Sequence, residues 1–137
     1  MAYETNIGAD FTLPAAADLS AKQYFLAAVN SSGQAALCTG AAGEAFVGVI
    51  QGDDATANRA TGLRPAGISK VAAGGTFAAG DLLTSDSNGK TVKYTKATVY
   101  TGTPYIVSGS LVYGVALAAG VSGQTSTMLV SPRGLSS

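Results

Sequence analysis

The sequence predicts an all-β fold, a small single-domain β-barrel or sandwich. Three observations predict it: the apolar runs are short, Gly-containing turns separate them at a spacing of roughly 8–12 residues, and helical periodicity is nearly absent. The chain has 137 residues, 18 of them Gly, a length that suits one domain. No internal repeat is strong enough to change this expectation.

The first half of the chain predicts a hairpin and a central strand. Gln23–Asn30 and Gln34–Thr39 flank the tight turn Asn30-Ser31-Ser32-Gly33, which is typical of a β-hairpin. Ala45–Gln51 is apolar on both faces of a strand and therefore predicts a central strand. The best candidate for a helix is one short turn within Ala15–Phe25.

After a polar loop at residues 52–58, two short strands are expected at Arg59–Pro65 and Gly67–Ala72. A second hairpin follows, with Leu82–Ser85 and Lys90–Thr95 on either side of the turn Asp86-Ser87-Asn88-Gly89. We expect Gly89 to take a positive φ there, because Gly adopts such a conformation without steric cost.

Within the second hairpin, Thr91, Lys93 and Thr95 alternate with two apolar residues, which predicts a half-exposed strand. The remaining expected strands lie at 97–107, Tyr113–Ala118 and Thr125–Val130. The tail at residues 131–137 is not expected to be ordered by itself.

Residues 1–13 stand apart from this spacing and end at Pro14, so they predict an extended N-terminal arm on a β-domain at 14–137. The apolar positions of the arm are too few and too widely spaced to form a core, so we expect them to contact a neighbouring subunit or surface: Tyr3, Ile7, Phe11 and Leu13. For Phe11 and Leu13, an arm folded back onto its own domain is the alternative.

The side chains that catalysis needs are sparse, so no catalytic, cofactor or metal-binding residue is predicted. The chain contains no His, which removes Ser-His and Cys-His nucleophiles and His metal ligands. Asn88-Gly89-Lys90-Thr91 resembles the end of a P-loop, but Thr84 stands where that motif needs its first Gly, and a strand follows instead of a helix. Gly52-Asp53-Asp54 is best interpreted as a solvated loop, and Cys38 as a small buried apolar residue.

Charge composition predicts neither nucleic acid nor membrane as a partner. Eight acidic and eight basic residues give a formal net charge of zero, too few clustered cations for many phosphate contacts or for attraction to anionic lipid. No apolar run approaches the roughly 20 residues that span a bilayer. The first residues lack the features of a signal peptide, so synthesis in a host cytoplasm is expected.

Short blocks in a fixed order resemble the family of bacteriophage capsid decoration (cement) proteins. The blocks span roughly residues 17 to 130 and are Ala17-Asp-Leu-Ser-Ala-Lys-Gln-Tyr-Phe, Phe46-Val-Gly-Val-Ile, Gly67-Ile-Ser-Lys-Val-Ala-Ala-Gly-Gly, Phe77-Ala-Ala-Gly-Asp-Leu-Leu-Thr-Ser-Asp, Asn88-Gly-Lys, Tyr113-Gly-Val-Ala-Leu-Ala-Ala and Thr127-Met-Leu-Val. The segment Thr98–Ser110 departs from the pattern, because it is longer and more aromatic.

The resemblance implies a compact β-domain that trimerises on the outer capsid surface of the virion, stabilises the head and has no active site. The implied partners are the major capsid protein and the chain itself, as a homotrimer. The apolar spacing of the arm separately predicts that the arm is a main contact with the capsid or with a neighbouring subunit. The alternative is a head-fibre or tail adhesin that binds a host glycan, in which Tyr100, Tyr105 and Tyr113 would stack on sugars.

Overall fold

The structure, a computed structural model, describes residues 10–41, 43–95 and 111–134, with only the backbone of residues 111, 133 and 134. The described residues form ten strands and no helix. The strands are β1 (Phe11–Pro14), β2 (Leu26–Val29), β3 (Ala35–Leu37), β4 (Phe46–Ile50), β5 (Ala60–Arg64), β6 (Gly67–Ala72), β7 (Leu82–Ser85), β8 (Thr91–Lys93), β9 (Leu111–Ala116) and β10 (Thr125–Gly134).

These strands make two antiparallel five-stranded sheets, ordered β1-β5-β4-β2-β3 and β6-β10-β9-β7-β8. The predicted all-β class is confirmed. Of the two predicted architectures, barrel and sandwich, the structure is a sandwich, because neither sheet closes into a barrel. Counted from its own first strand, each sheet has the same order: first, fifth, fourth, second, third. The structure therefore contains a repeat of topology, and this repeat leaves the predicted all-β class unchanged.

Local geometry repeats along with the strand order. Each sheet contains a hairpin between its second and third strands, and each turn ends in a Gly of positive φ, +76° at Gly33 and +79° at Gly89. The predicted hairpins and the predicted φ of Gly89 are thus confirmed. In each sheet, the residue just beyond the first strand also bridges the third strand in parallel, Ala15 to Ala35 and Ala73 to Thr91.

The main core lies between the two sheets. From the first sheet it receives Leu26, Ala28, Cys38 and Val49, and from the second sheet Val71, Leu83, Tyr113, Ala116, Met128 and Val130. These residues are at most 8% exposed. Burial of this apolar area supplies the main favourable free energy of packing the two sheets.

A second core covers the opposite face of the first sheet. It contains Ala27, Ile50 and Leu63, and the connecting segments close it with Leu19 and Ala55. Because Val49 belongs to one core and Ile50 to the other, β4 is buried on both faces. The expectation that Ala45–Gln51 forms a central strand is therefore confirmed.

Several local expectations need correction. The helix candidate at Ala15–Phe25 instead forms non-helical turns, in which Ala21 and Tyr24 have positive φ. Thr91 is fully buried rather than half-exposed, because it faces the segment that follows β6. The tail begins inside β10, which pairs with β9 as far as Gly134. The expected strand at 97–107 lies outside the described residues.

Candidate interaction surface

A half-buried carboxylate ties the two sheets together. Glu44 accepts hydrogen bonds from the backbone N–H groups of Thr39 (2.9 Å) and Gly40 (3.0 Å), which fixes the loop after β3. The hydroxyl of Tyr113, in the second sheet, donates to Glu44 Oε1 at 2.6 Å. The Tyr113 ring also stacks on Phe46, with centroids 4.3 Å apart. Burial, followed by the hydrogen bond to Glu44, raises the pKa of Tyr113 well above its usual range.

Cys38 lies beside this carboxylate and is fully buried, as predicted. Burial raises the pKa of the Cys38 thiol, and the negative charge of Glu44 adds to the effect. Because the thiolate is the reactive form of cysteine, this environment makes the thiol inert.

The segment that resembles a P-loop forms the predicted hairpin turn. Asp86 Oδ1 accepts hydrogen bonds from the backbone N–H groups of Asn88 (2.8 Å) and Lys90 (2.9 Å). The carbonyl of Gly89 accepts a hydrogen bond from Leu26 N–H at 2.7 Å, so the tip of this turn is anchored to β2. These backbone groups therefore serve the turn and the contact between the sheets.

The acidic loop at Gly52-Asp53-Asp54 is also a connecting segment, and the carbonyl of Asp53 accepts a hydrogen bond from Ala21 N–H at 3.0 Å. Among residues 10–41, 43–95 and 111–134, no three His, Cys, Asp or Glu side chains gather into a group that could hold a metal ion. Within the same ranges, no helix of sufficient length and apolarity to cross a bilayer is found.

Of the four predicted contact residues, the structure describes two, and both belong to the first sheet. In β1, Phe11 pairs with Leu63 and Leu13 pairs with Thr61. Leu13 packs against the second core, whereas the side chain of Phe11 is 37% exposed. For these two residues the structure has the folded-back arrangement. Tyr3 and Ile7 lie outside the described residues.

An ion pair fixes the point where residues 1–9 join the first sheet. The Arg64 guanidinium donates to both carboxylate oxygens of Asp10, at 3.0 and 3.1 Å, and to the carbonyl of Ile68 at 3.0 Å. This bidentate pair lowers the pKa of Asp10 and raises that of Arg64. The chain therefore enters β1 beside the start of β6.

Next to this junction, an apolar row crosses the outer face of the second sheet. Ile68 pairs with Leu129, Leu129 with Val115, and Val115 with Leu82, so the four side chains lie side by side on one face. Ile68 is 61% exposed and Leu129 is 39% exposed, and the other two are half-buried. We call these four residues the outer row.

Sequence reasoning missed the outer row. Its signal is weak because β6 carries Ile68 and Val71 on opposite faces, and both are apolar β-formers. Only the pairing partners reveal which of them faces outward.

The alternative in which Tyr113 stacks on a sugar is wrong, since Tyr113 is 1% exposed and packs between the sheets. Tyr100 and Tyr105 lie outside the described residues.

Comparison with solved structures finds a similar fold in a phage particle. The crystal structure of the N base of head fibre gp8.5 in bacteriophage phi29 superposes with a TM-score of 0.63 and 20% sequence identity. The match covers 90% of this chain and 93% of that chain. No protein-family model and no curated protein matches the sequence. The two chains thus share a fold across nearly their whole lengths.

Proposed function

We propose that this chain is a structural protein of a bacteriophage head, a decoration protein that binds the outer capsid surface. The observation that carries the proposal is the fold shared over 90% of the chain with the N base of a phage head fibre. The ordered sequence blocks that resemble capsid decoration proteins support the same setting independently.

The described residues suit a passive, rigid role. The polar groups that could carry chemistry, Glu44, Cys38 and the turn at Asp86, are engaged in holding loops and sheets together. The surface of the described residues includes the junction of the arm at Asp10 and, next to it, the outer row. Apolar side chains at an exposed junction are features of a docking surface.

In this proposal the chain binds the major capsid protein and forms a homotrimer on the particle, with neither nucleic acid nor membrane as a partner. The arm supplies the capsid contact through Tyr3 and Ile7, assisted by the exposed Phe11. Because Phe11–Pro14 forms β1 and Asp10 pairs with Arg64, the arm contact in this proposal is confined to residues 1–9 and the exposed Phe11. Ordering of such a segment costs conformational entropy, which the aromatic anchors offset on binding.

The second candidate function is the base of a head fibre, which would attach a fibre to the capsid. The similarity to gp8.5 favours it specifically, because the matched part of that protein is its N base. The two functions share a capsid-binding surface and differ in how many copies the particle holds.

Sedimentation with heads of the encoding phage, purified without this protein, tests both candidates. We expect saturable binding of added protein, with a copy number that approaches that of the capsid protein for a decoration protein. A copy number far lower would favour the fibre base, and no binding to heads would contradict both.

Deletion of residues 2–9 tests the arm while leaving β1 intact. We expect at least a tenfold loss of affinity for heads, with an unchanged melting temperature. Full affinity in a folded truncated protein would show that the capsid contact lies elsewhere. Because Phe11–Pro14 belongs to the sheet, a longer deletion would confuse binding with folding.

A further inference from the structure

We infer that the outer row of the second sheet is the surface on which a second copy of this chain docks, head to tail. The inference deepens the assembly proposed above and rests on it. It is carried by the internal repeat, which shows how one sheet of this fold packs against another.

Equivalent positions identify the matching faces of the two sheets. In the first sheet Leu26 pairs with Val49, and in the second sheet Leu82 pairs with Val115 at the same places in the strand order. Leu26 and Val49 are fully buried in the core between the sheets. Leu82 and Val115 belong to the outer row. The face that carries the outer row is therefore the counterpart of the face by which the first sheet packs on the second. Leu82 and Val115 stand where the first sheet has core residues, and Leu129 stands where the first sheet has the partly exposed Arg64.

The opposite faces correspond in the same way. Ala27 and Ile50 lie in the second core, while their counterparts Leu83 and Ala116 lie in the core between the sheets. The two sheets thus stack with unlike faces in contact, as two successive members of a head-to-tail series do. A stack of this kind leaves one free face at each end.

The outward faces at the two ends of the stack differ in how far the chain covers them. At the first-sheet end, the connecting segments of the chain place Leu19 and Ala55 over the face, and these residues are 3% exposed. At the second-sheet end, Ile68 and Leu129 remain 61% and 39% exposed. An apolar row on the face that packs in the first sheet marks this end as a docking surface.

The repeat also indicates the occupant. Inside the molecule this face packs on a sheet of the same fold. A second copy offers its first sheet as the counterpart, with the segments that carry Leu19 and Ala55 lying between the two sheets. Contacts between unlike faces are heterologous, and heterologous contacts close into a ring of three when each contact turns the next copy by a third of a full rotation. The outer row of one copy then meets the first-sheet end of the next copy, which agrees with the proposed homotrimer.

Photo-crosslinking from the outer row tests the inference. A benzophenone maleimide is attached to Leu129→Cys, since buried Cys38 leaves residue 129 as the accessible thiol among the described residues. We expect a covalent dimer of about twice 13.5 kDa, both on heads and in concentrated free protein, whose adduct maps within residues 1–64. Val121→Cys, at a position that is 50% exposed and outside the outer row, is the matched control and should give only background dimer.

Each other product would overturn the inference. An adduct with the capsid protein alone would assign the surface to the capsid. An adduct without mass increase would mean that another part of the same chain, such as residues 96–110, covers the row. An adduct or disulfide between two copies of residue 129 would indicate a two-fold contact. Failure of the wild-type chain to bind heads would contradict the proposed function, but a dimer adduct in free protein would still support this inference.

A charge-insertion pair gives an independent readout. Ile68→Lys with Leu129→Lys should weaken self-association at least tenfold, measured by sedimentation equilibrium or by occupancy of trimer positions on heads. Val121→Lys should leave self-association unchanged, and all variants should melt within a few degrees of the wild type because the replaced side chains are exposed. Unchanged self-association in the folded double variant would overturn the inference.

Discussion

The two sheets have the same strand order but bury different amounts of their surfaces. The first sheet is covered on both faces, and the described part of the chain covers the second sheet on one face only. In β2 three consecutive residues are buried, whereas in β7 buried and half-buried residues alternate. One topology can therefore form from a strand that is buried on both faces and from a strand that is buried on one.

The positions that match between the sheets are those that the backbone requires. Gly48 and Gly114 occupy the same place in the fourth strand of each sheet, opposite Ala27 and Leu83. A Cβ on either Gly would collide with the neighbouring fifth strand, at Arg64 O (2.7 Å) for Gly48 and at Leu129 O for Gly114. Close backbone approach and tight turns are thus common to both sheets, while the other side chains differ with burial.

The largest expected effect on stability comes from substituting the two glycines that allow this close approach of the strands. Gly114→Ala and Gly48→Ala should each lower the free energy of unfolding by about 3 kcal/mol, at the upper end of the usual cost of overpacking. At Gly114 the added methyl also meets Met128 Cγ at 2.7 Å, and at Gly48 the φ of +150° adds strain. Denaturant unfolding of the two variants measures the cost in each sheet.

Gly62→Ala is the matched control, because it lies in a strand where the nearest heavy atom to an added Cβ is 4.0 Å away. It should change stability by less than about 0.5 kcal/mol. If only one of the two tested glycines proves costly, the sheets do not share the constraint, and the comparison between them fails.

The next effect concerns the contact between the sheets. Tyr113→Phe should lower the free energy of unfolding by about 1.5 kcal/mol at pH 7, because it removes a hydrogen bond to a carboxylate. Tyr24→Phe, also beside the core between the sheets, is the control, since its hydroxyl has no hydrogen-bond partner within the described ranges. Equal losses in both variants would contradict a specific role for the Glu44 contact.

The same residue predicts a pH dependence. Because the pKa of Tyr113 is raised in the folded state, its contribution to stability is fully present below the unfolded pKa of about 10 and is lost as pH rises further. The free energy of unfolding should fall above about pH 10, and less steeply in Tyr113→Phe. An unchanged slope would mean that the hydroxyl ionises equally easily in both states.

Local sequence signals predicted the strands well where turn chemistry bounded them. β6 and β7 coincide with the predicted segments, because Gly and Asp mark their ends. The sequence does not reveal the repeat, because few identical residues recur. They are turn residues, the strand pair Gly-Val at 48–49 and 114–115, and the Leu that begins Leu26-Ala-Ala-Val and Leu82-Leu-Thr-Ser. Topology depends on pairing between distant strands, and no local pattern specifies that pairing.

The candidate surface was harder to predict than the fold. Wide apolar spacing identified Phe11, but only pairing with β5 shows that it belongs to a sheet. The outer row brings together residues from four strands, Ile68, Leu82, Val115 and Leu129, and each is unremarkable within its own segment. A surface made by long-range pairing becomes visible only when the register is known.

The equivalent turns allow a finer comparison. Gly89→Ala and Gly33→Ala both place a Cβ at positive φ, at a cost of about 1–2 kcal/mol. At Gly89 the Cβ also meets Leu26 O at 3.1 Å and Leu37 at 3.3 Å, whereas at Gly33 nothing lies within 4 Å. Gly89→Ala should therefore cost about 1 kcal/mol more in denaturant unfolding. Equal costs would show that the second turn is not anchored against the first sheet.

A buried hydroxyl distinguishes the third strands. Thr91 is fully buried and its Oγ1 has no hydrogen-bond partner within the described ranges, while Ala35 occupies the equivalent bridge position. Thr91→Val keeps the shape and removes an unsatisfied polar atom, so it should raise the free energy of unfolding by about 1 kcal/mol. A decrease measured by thermal unfolding would indicate that the hydroxyl has a partner in solution.

The smallest expected effect tests the link between the first strands of the two sheets. Arg64 joins Asp10, just before β1, to Ile68 in β6, and the side chains of Arg64 and Asp10 are 34% and 43% exposed. Exposed ion pairs contribute little, so Asp10→Asn should lower the free energy of unfolding by only about 0.5 kcal/mol, and by less in 1 M salt. Because Arg64 lowers the folded pKa of Asp10, the contribution is present above the unfolded pKa of about 4 and is lost as pH falls through the folded value. Asp10→Asn should therefore lose less stability than the wild type on acidification below pH 4. A loss of several kcal/mol at neutral pH would mean that the junction of the arm holds the two sheets together, and that the core between them is not sufficient to do so.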